Sequence, residues 1–347
     1  MSNGKKRPKI AIVNSSSFGV FNPEHLRRLE KIGEVKRFTV PKDIPGEELG
    51  VLLKEFNIIV ASVLPNYDKA FFDKVDNLLL ITRHGIGINN IDIAYATKKG
   101  VLVTKVEGIV EQESMAEHTI TLLLAVARKL VPAYLAVKNG KWSERVKFIG
   151  YEIKGKRVGI IGIGNIGTRV AEILKYGFSS EVVAYDPKLT KDQIRERGAE
   201  PVSFEELLKS AEIITLHAPL LPETYHMLGK EEFSLMKKDV IIIDTARGEL
   251  IDTDALIDAI ESGKIFGVGM DVVEGEPISG DHPLLKYDNV IIGPHIGAYT
   301  NECLNGMGDK VVSDIERLLK GEPPHQMVNP QVYEKVRERL NELGFGS

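Results

Sequence analysis

Short runs rich in Val and Ile alternate with helical segments along this 347-residue chain, and that alternation restricts the fold more than any other feature. A first series reads "KIAIVN", "EVKRFTV", "FNIIVASV", "LLLITRHG" and "VLVTKV". A second reads "RVGIIGIG", "EVVAYD", "EIITLHAP", "DVIIIDTA", "FGVGMDVV" and "NVIIGPH". Strands this uniformly apolar must be covered on both faces, which the intervening helices of a parallel sheet provide and hairpins do not. The segment "FNPEHLRRLEKIG" shows the helical punctuation: Asn22 can cap, Pro23 fits the first turn and Gly33 marks the stop. Two such series, with 43% hydrophobic residues to fill two cores, predict two doubly wound α/β domains.

The order of elements predicts that one domain is inserted into the other. Between the series lies "ESMAEHTITLLLAVARKL", apolar nearly all round, so that more than one surface must bury it, including that of a second subunit. The helix "GDKVVSDIERLLKG" lies beyond the last strand of the second series and is expected to return to the earlier domain. The predicted division is therefore residues 1–107 with 299–347, a flavodoxin-like unit, around an inserted unit of residues 108–298. The stretch after Pro330 has room for one more helix.

Charge and cysteine usage narrow the partners. The 45 basic and 49 acidic residues are dispersed, giving −4 with no basic stripe for nucleic acid, so a small molecule is the expected partner. The single cysteine, Cys303, excludes an internal disulfide framework and a cysteine-rich metal site, no metal is expected, and one thiol suits a reducing cytoplasm. The opening "MSNGKKRPKI" has no apolar core of a signal peptide, and no apolar run approaches the roughly 20 residues that span a bilayer. A cytoplasmic protein without a membrane partner is expected.

The stretch "VGIIGIGNIG" places Gly162, Gly164 and Gly167 between a predicted strand and a helix starting at Asn165. In that context each glycine has a task. The first permits the tight turn, the second lets a pyrophosphate reach the backbone, and the third lets the helix pack on the strand. The N–H groups of Asn165 and Ile166 at the helix start are then donors to phosphate. Asp186 ends the next strand nineteen residues past Gly167, where a carboxylate accepts ribose hydroxyls and repels a 2′-phosphate, favouring NAD over NADP. The inserted unit thus reads as a Rossmann NAD-binding domain and the other as a substrate domain.

Ligands gather at the carboxyl ends of strands in such sheets. Here those ends carry Gly162, Asp186, His217, Thr245–Arg247, Asp271 with Glu276, and His295. Hydride transfer to a ketone needs a proton donor, a group that grips the substrate and exclusion of water. His295 is the expected acid, Glu276 orients its ring, and Arg247 offers a planar fork for a carboxylate or carbonyl oxygen. Asp271 is expected to accept from the nicotinamide carboxamide. His217, His25, His118, His226 and His325 are read as structural, and His282 as a loop residue before Pro283.

Together, "VGIIGIGNIG", "HAPLLPET", "DTARGELID", "DVVEGEP" and "PHIGAYT" resemble the D-isomer-specific 2-hydroxyacid dehydrogenase family, from "HGIGINNID" to "GAYT". The resemblance implies an NAD-dependent enzyme interconverting a small 2-oxo acid and its D-2-hydroxy acid, with Arg247, Glu276 and His295 catalytic. It also implies cofactor contacts at Asn165, Ile166, Asp186, Ala218, Pro219, Thr224, Thr245, Ala246 and Asp271. The substrate carboxylate is implied to meet the backbone of Ile86 and Gly87, and a homodimer is implied, built partly on the helix starting near Glu113. Some positions depart from the pattern. Ala61 stands about where phosphoglycerate enzymes carry an arginine, His84 and Asn89 replace common loop residues, and "VEGIVEQES" replaces the usual "NTPxxN" run. These departures disfavour a phosphorylated substrate. The alternatives within the fold are an NAD(H)-gated corepressor-like binding protein and a phosphoglycerate, formate or phosphite dehydrogenase.

Overall fold

A computed structural model describes residues 6–345. The chain forms two compact units, passing into the second between Val110 and Glu111 and back into the first between Tyr299 and Thr300.

The first unit holds five parallel strands, β1 (Lys9–Val13), β2 (Glu34–Phe38), β3 (Ile58–Ala61), β4 (Leu80–Arg83) and β5 (Leu102–Thr104), in the order β2-β1-β3-β4-β5. Apart from Lys9 at the start of β1 the central strands are buried, and each Val or Ile removed from water this way contributes roughly 1.5–3 kcal/mol. The helix Pro23–Ile32 starts where the sequence signals it, with Asn22 Oδ1 accepting the Glu24 N–H at 3.0 Å. Gly33 ends it in extended backbone; what needs glycine there is space, since a Cβ would stand 2.7 Å from Ile10 and from the Pro8 carbonyl. The helix Asn301–Leu319 packs Val311, Val312, Ile315 and Leu318 into the same core as Ile10 and Ile12. The helix Tyr333–Glu342 adds Val336 and Leu340 to it.

The second unit has seven parallel strands in the order β12-β11-β10-β9-β6-β7-β8. They are β6 (Arg157–Ile161), β7 (Glu181–Tyr185), β8 (Glu200–Pro201), β9 (Ile213–Leu216), β10 (Val240–Asp244), β11 (Ile265–Met270) and β12 (Val290–Ile292). The sequence predicts six of these. The seventh, β8, is a two-residue edge strand ending in proline, too short for any periodicity and tolerated only because an edge needs no donor there. The order reverses between β6 and β9, the switch point where such sheets open a crevice at their carboxyl ends.

The long helix expected between the two series runs Gly108–Ala127, starting before "ESM" and stopping short of "RKL". Lys129 (φ 48°) breaks it, and a second helix, Leu130–Lys138, leaves at 62°. No single helix among the described residues is long and apolar enough to cross a membrane.

Candidate active site

At the switch point the three glycines serve three separate needs. Gly162 has φ +85°, and a Cβ there would lie 2.8 Å from the Ala218 nitrogen. A Cβ on Gly167 would lie 2.4 Å from the Gly162 carbonyl, so only glycine lets the helix Asn165–Phe178 pack this close to its strand. At Gly164 a methyl group would meet nothing within 4 Å. That open space beside the first-turn N–H groups of Asn165 and Ile166 fits a pyrophosphate, and a side chain would fill it.

Asp186 braces this turn. Its Oδ2 accepts the Ile163 N–H at 3.1 Å and its Oδ1 the Lys188 N–H at 3.0 Å. Half-buried, it has acceptor capacity beyond these two bonds that could serve ribose hydroxyls. Across the switch point, Ala218 is buried beside Gly162, and Thr224 ties the loop that follows by accepting the Leu221 N–H at 2.8 Å and donating to the Pro219 carbonyl at 2.7 Å.

The end of β10 turns sharply. Asp244, fully buried, accepts the Ala246 N–H on Oδ1 at 2.8 Å, while its Oδ2 has no partner among the described residues. Burial pushes its pKa up to about 8, opposed by the Ala246 amide and the Arg247 charge. The buried Thr245 hydroxyl lies 2.9 Å from that of Thr119 on the long helix. Arg247 is half-buried and donates one N–H to the Ala246 carbonyl at 2.6 Å, leaving the rest of its fork for other acceptors. Gly248 lies flat on the next loop, where a Cβ would come within 2.2 Å of the Glu274 nitrogen. The Arg247 turn and the loop bearing Glu276 therefore press together, as side neighbours on adjacent strands.

That loop meets His295 directly. Glu276 Oε1 contacts His295 Nδ1 at 2.5 Å, each side chain one-third exposed, and Glu276 Oε2 accepts the Val273 N–H at 3.3 Å. With Nδ1 occupied, Nε2 is the nitrogen left to face a substrate. His295 has φ +58°, uncommon for a residue with a Cβ, and donates its backbone N–H to the Asp271 carbonyl at 2.8 Å. Asp271 is 1% exposed; its Oδ1 accepts from Ile296 N–H at 3.0 Å and its Oδ2 from Gly297 N–H at 2.6 Å. Little of its carboxylate is left for another donor.

The remaining histidines differ from one another. His217 contacts Thr215 Oγ1 at 3.0 Å, and desolvation pushes its pKa down to about 3. His84, on the loop after β4, is likewise pushed down to about 3 by burial with help from the Arg83 charge, so it is a neutral ring edge-on to Phe18. His25 faces Asp309 at 3.2 Å, the His325 N–H bonds Asp314 at 3.0 Å, and His282 Nδ1 accepts the Leu284 N–H at 3.4 Å, an N-terminal cap. His226 lies between Glu274 (2.8 Å) and Asp252 (3.6 Å). His118 is the one that reaches the site, with Nε2 at 3.2 Å from Asp271 Oδ1. Sequence reasoning sets it aside; the available signal is a polar row, Ser114, His118 and Thr119, on a largely apolar helix. Ile86 and Gly87, half-buried, follow Gly85 (φ +142°) on the loop after β4 in the first unit. No group of His, Cys, Asp and Glu among the described residues is arranged to hold a metal ion.

Known proteins bear on this arrangement. A family profile for the "D-isomer specific 2-hydroxyacid dehydrogenase, NAD binding domain" matches residues 120–297. The chain is 39% identical over 333 residues to a glyoxylate reductase of Thermococcus litoralis, covering 94% of this chain and 98% of that protein. It is 41% identical over 283 residues to a D-3-phosphoglycerate dehydrogenase of Archaeoglobus fulgidus, covering 82% of this chain and 53% of that longer protein. The structure of a D-lactate dehydrogenase from Aquifex aeolicus, solved with NAD and lactic acid, superposes with a TM-score of 0.80 at 32% identity over 92% of this chain and 99% of that one. The chain belongs to the D-isomer specific 2-hydroxyacid dehydrogenase family, NAD-dependent oxidoreductases that interconvert 2-oxo and 2-hydroxy acids.

Proposed function

We propose that the protein reduces a small, unphosphorylated 2-oxo acid, with glyoxylate the first candidate, to its D-2-hydroxy acid and runs the reverse oxidation through the same groups. The observation that carries this reading is the 2.5 Å contact between His295 Nδ1 and Glu276 Oε1, which fixes the ring and frees Nε2. In reduction His295 gives a proton from Nε2 to the carbonyl oxygen; in oxidation it takes that proton back. Glu276 holds the imidazole at the angle this needs. Arg247 polarises the carbonyl and grips the adjacent carboxylate with its free N–H groups. NAD, when bound, supplies the site that gives or accepts hydride. Gly162, Gly164, Asn165, Ile166 and Gly167 would hold its pyrophosphate, Asp186 its ribose, and Ala218, Pro219, Thr224, Thr245 and Ala246 line its path along the strand ends. For Asp271 the carboxamide is a subsidiary partner, since its oxygens already serve Ile296 and Gly297.

The unit with the seven-stranded sheet is assigned the cofactor and the five-stranded unit the substrate. Ile86 and Gly87 take the substrate carboxylate on the likeness of their loop to the family's. A buried Ala61 at the end of β3 offers no charge for a phosphate, which supports an unphosphorylated substrate. A homodimer is supported by the exposed apolar side chains of residues 130–149, and a cytoplasmic location by the lone thiol and the need for a nicotinamide pool. The name of the Thermococcus litoralis relative puts glyoxylate first.

The test follows NADH absorbance with glyoxylate, hydroxypyruvate, pyruvate and phosphohydroxypyruvate. Glyoxylate should be reduced fastest and phosphohydroxypyruvate slowest; an enzyme inert towards all four would refute the assignment. His295→Ala should lower kcat by about 10²- to 10⁴-fold, the range for losing a general acid, with NADH affinity retained.

A further inference from the structure

One face of the long helix reaches three of the turns that build the site. Ser114 Oγ lies 2.5 Å from the Gly297 carbonyl, Thr119 Oγ1 lies 2.9 Å from Thr245 Oγ1, and His118 Nε2 lies 3.2 Å from Asp271 Oδ1. Ser114 and His118 are one helical turn apart, so both project from the same stripe. That stripe is polar on a helix that, beyond it, buries Ala116, Ile120, Leu122, Leu123, Val126 and Ala127.

Asp271 is the point on which the turn bearing His295 hangs. Its backbone carbonyl takes the His295 N–H at 2.8 Å, and its two carboxylate oxygens take the next two N–H groups, Ile296 at 3.0 Å and Gly297 at 2.6 Å. Three successive amides on one residue hold His295 in its left-handed conformation, which the chain would otherwise leave. The fit is tight on both sides. A Cβ on Gly293 would stand 2.5 Å from Asp271 Oδ1, and one on Gly297 would meet Met115 Sδ at 2.7 Å and Asp271 Oδ2 at 3.1 Å.

The two amide donors tie the Asp271 carboxylate to the turn but do not stop carboxylate and turn from rotating together. The contact from His118 opposes that rotation, and its ring nitrogen is itself buried with no other partner among the described residues. The ring nitrogen stands within 3.2 Å of Asp271 Oδ1 but off the N–H direction, so a small turn of the ring makes it a donor to that oxygen. Burial alone would push the Asp271 pKa up, but His118 and the Ile296 and Gly297 amides outweigh it and hold the carboxylate below its usual range.

We propose that His118 is a positioning residue of the active site, fixing the Asp271 carboxylate so that it grips the amides of Ile296 and Gly297 and presents His295. The proposal deepens the dehydrogenase reading and assigns no contact between His118 and substrate. Its chemical consequence falls on the rate step, because His295 must sit within hydrogen-bond reach of the carbonyl oxygen only as the proton moves.

Two measurements on the full-length protein test it. The first needs no substrate: amide hydrogen exchange at Ile296 and Gly297 in wild type, His118→Leu and His118→Gln. Leu keeps the bulk and loses the donor; Gln keeps a donor near the same place and cannot carry a charge. Exchange at these two amides should quicken about tenfold or more in His118→Leu, stay close to wild type in His118→Gln, and be unchanged along β6 in both. The second is steady-state kinetics: His118→Leu should lose about tenfold or more in kcat with KM within about twofold, and His118→Gln should recover most of it. If His118→Leu does not fold, His118→Asn, too short to reach Asp271, replaces it. Undiminished protection in His118→Leu would overturn the proposal, and equal loss in Leu and Gln variants would assign the residue to packing instead. A wild type inert towards every 2-oxo acid would remove the dehydrogenase reading, while the exchange comparison still decides the role of His118.

Discussion

Two aspartates show how a single carboxyl group acts through its surroundings. Asp186 braces the Ile163 N–H and is also proposed to accept from a cofactor ribose, so the two roles must be separated by choice of substituent. Asp186→Asn keeps an acceptor for Ile163 and removes the charge that repels a 2′-phosphate. The ratio of kcat/KM with NADPH to that with NADH should rise about tenfold or more, as expected when one like-charge repulsion is removed; an unchanged ratio would remove Asp186 from cofactor selection. Asp244 concerns stability instead. An unfolded aspartate ionises near pH 4, whereas this one keeps its proton to about pH 8 because it is buried. The folded state therefore binds one proton more across that window, and stability falls as pH rises through it. Asp244→Asn retains the Oδ1 acceptor for the Ala246 N–H and does not titrate. Its melting temperature should match wild type near pH 4 and exceed it by pH 8, where removing the cost of a poorly solvated carboxylate contributes about 1–3 kcal/mol. A parallel pair of melting curves from pH 4 to 8 would contradict the burial argument.

At the scale of elements, the turn joining β6 to its helix separates folding from binding within six residues. Gly167→Ala places a Cβ 2.4 Å from the Gly162 carbonyl, backbone that cannot give way, so the helix must lift from its strand and the protein should lose about 1–3 kcal/mol of stability. Gly164→Ala meets no protein atom within 4 Å, so its melting temperature should stay near wild type. Its NADH dissociation constant, measured by fluorescence titration, should instead rise about tenfold or more, because the methyl group occupies the space where a phosphate approaches the backbone. If both variants melt normally and bind normally, this turn is not the cofactor site. The same element is the most legible part of the chain, since β-branched strand, spaced glycines and helical pattern all agree locally. Strand β8 is not legible: Glu200 and Pro201 have neither length nor alternation. The break at Lys129 is equally hidden, because a left-handed lysine carries no glycine signal, and Pro132 three residues on is the only mark of a new first turn.

Across the whole molecule, what can be read depends on whether a residue's task is set by its own strand or by a distant partner. Arg247, Glu276 and His295 follow the ends of β10, β11 and β12, so the rule that ligands sit at carboxyl ends locates them from the strand pattern alone. His118 takes its meaning from Asp271, and Asp271 from Ile296 and Gly297, pairings between remote stretches that no local pattern encodes. Surface exposure is equally invisible in sequence. The segment "LVPAYLAVKNGKWSERVKFI" is rich in large apolar residues of the kind that fill cores, yet Leu130, Tyr134, Val137, Trp142, Val146 and Ile149 are all more than half exposed in the single chain. So many large apolar side chains exposed within twenty residues exceed the scattered exposure normal for a monomer. In the proposed homodimer a second copy of the chain would cover these side chains, a two-fold axis pairing this surface with itself. Light scattering after gel filtration should therefore give twice the mass of the chain at micromolar concentration. Tyr134→Glu with Trp142→Glu places two carboxylates where aromatic rings were to be buried, and should yield a folded monomer with unchanged circular dichroism. A wild type that elutes with the mass of one chain would mean that these side chains face no second copy, and the dimer assignment would fall.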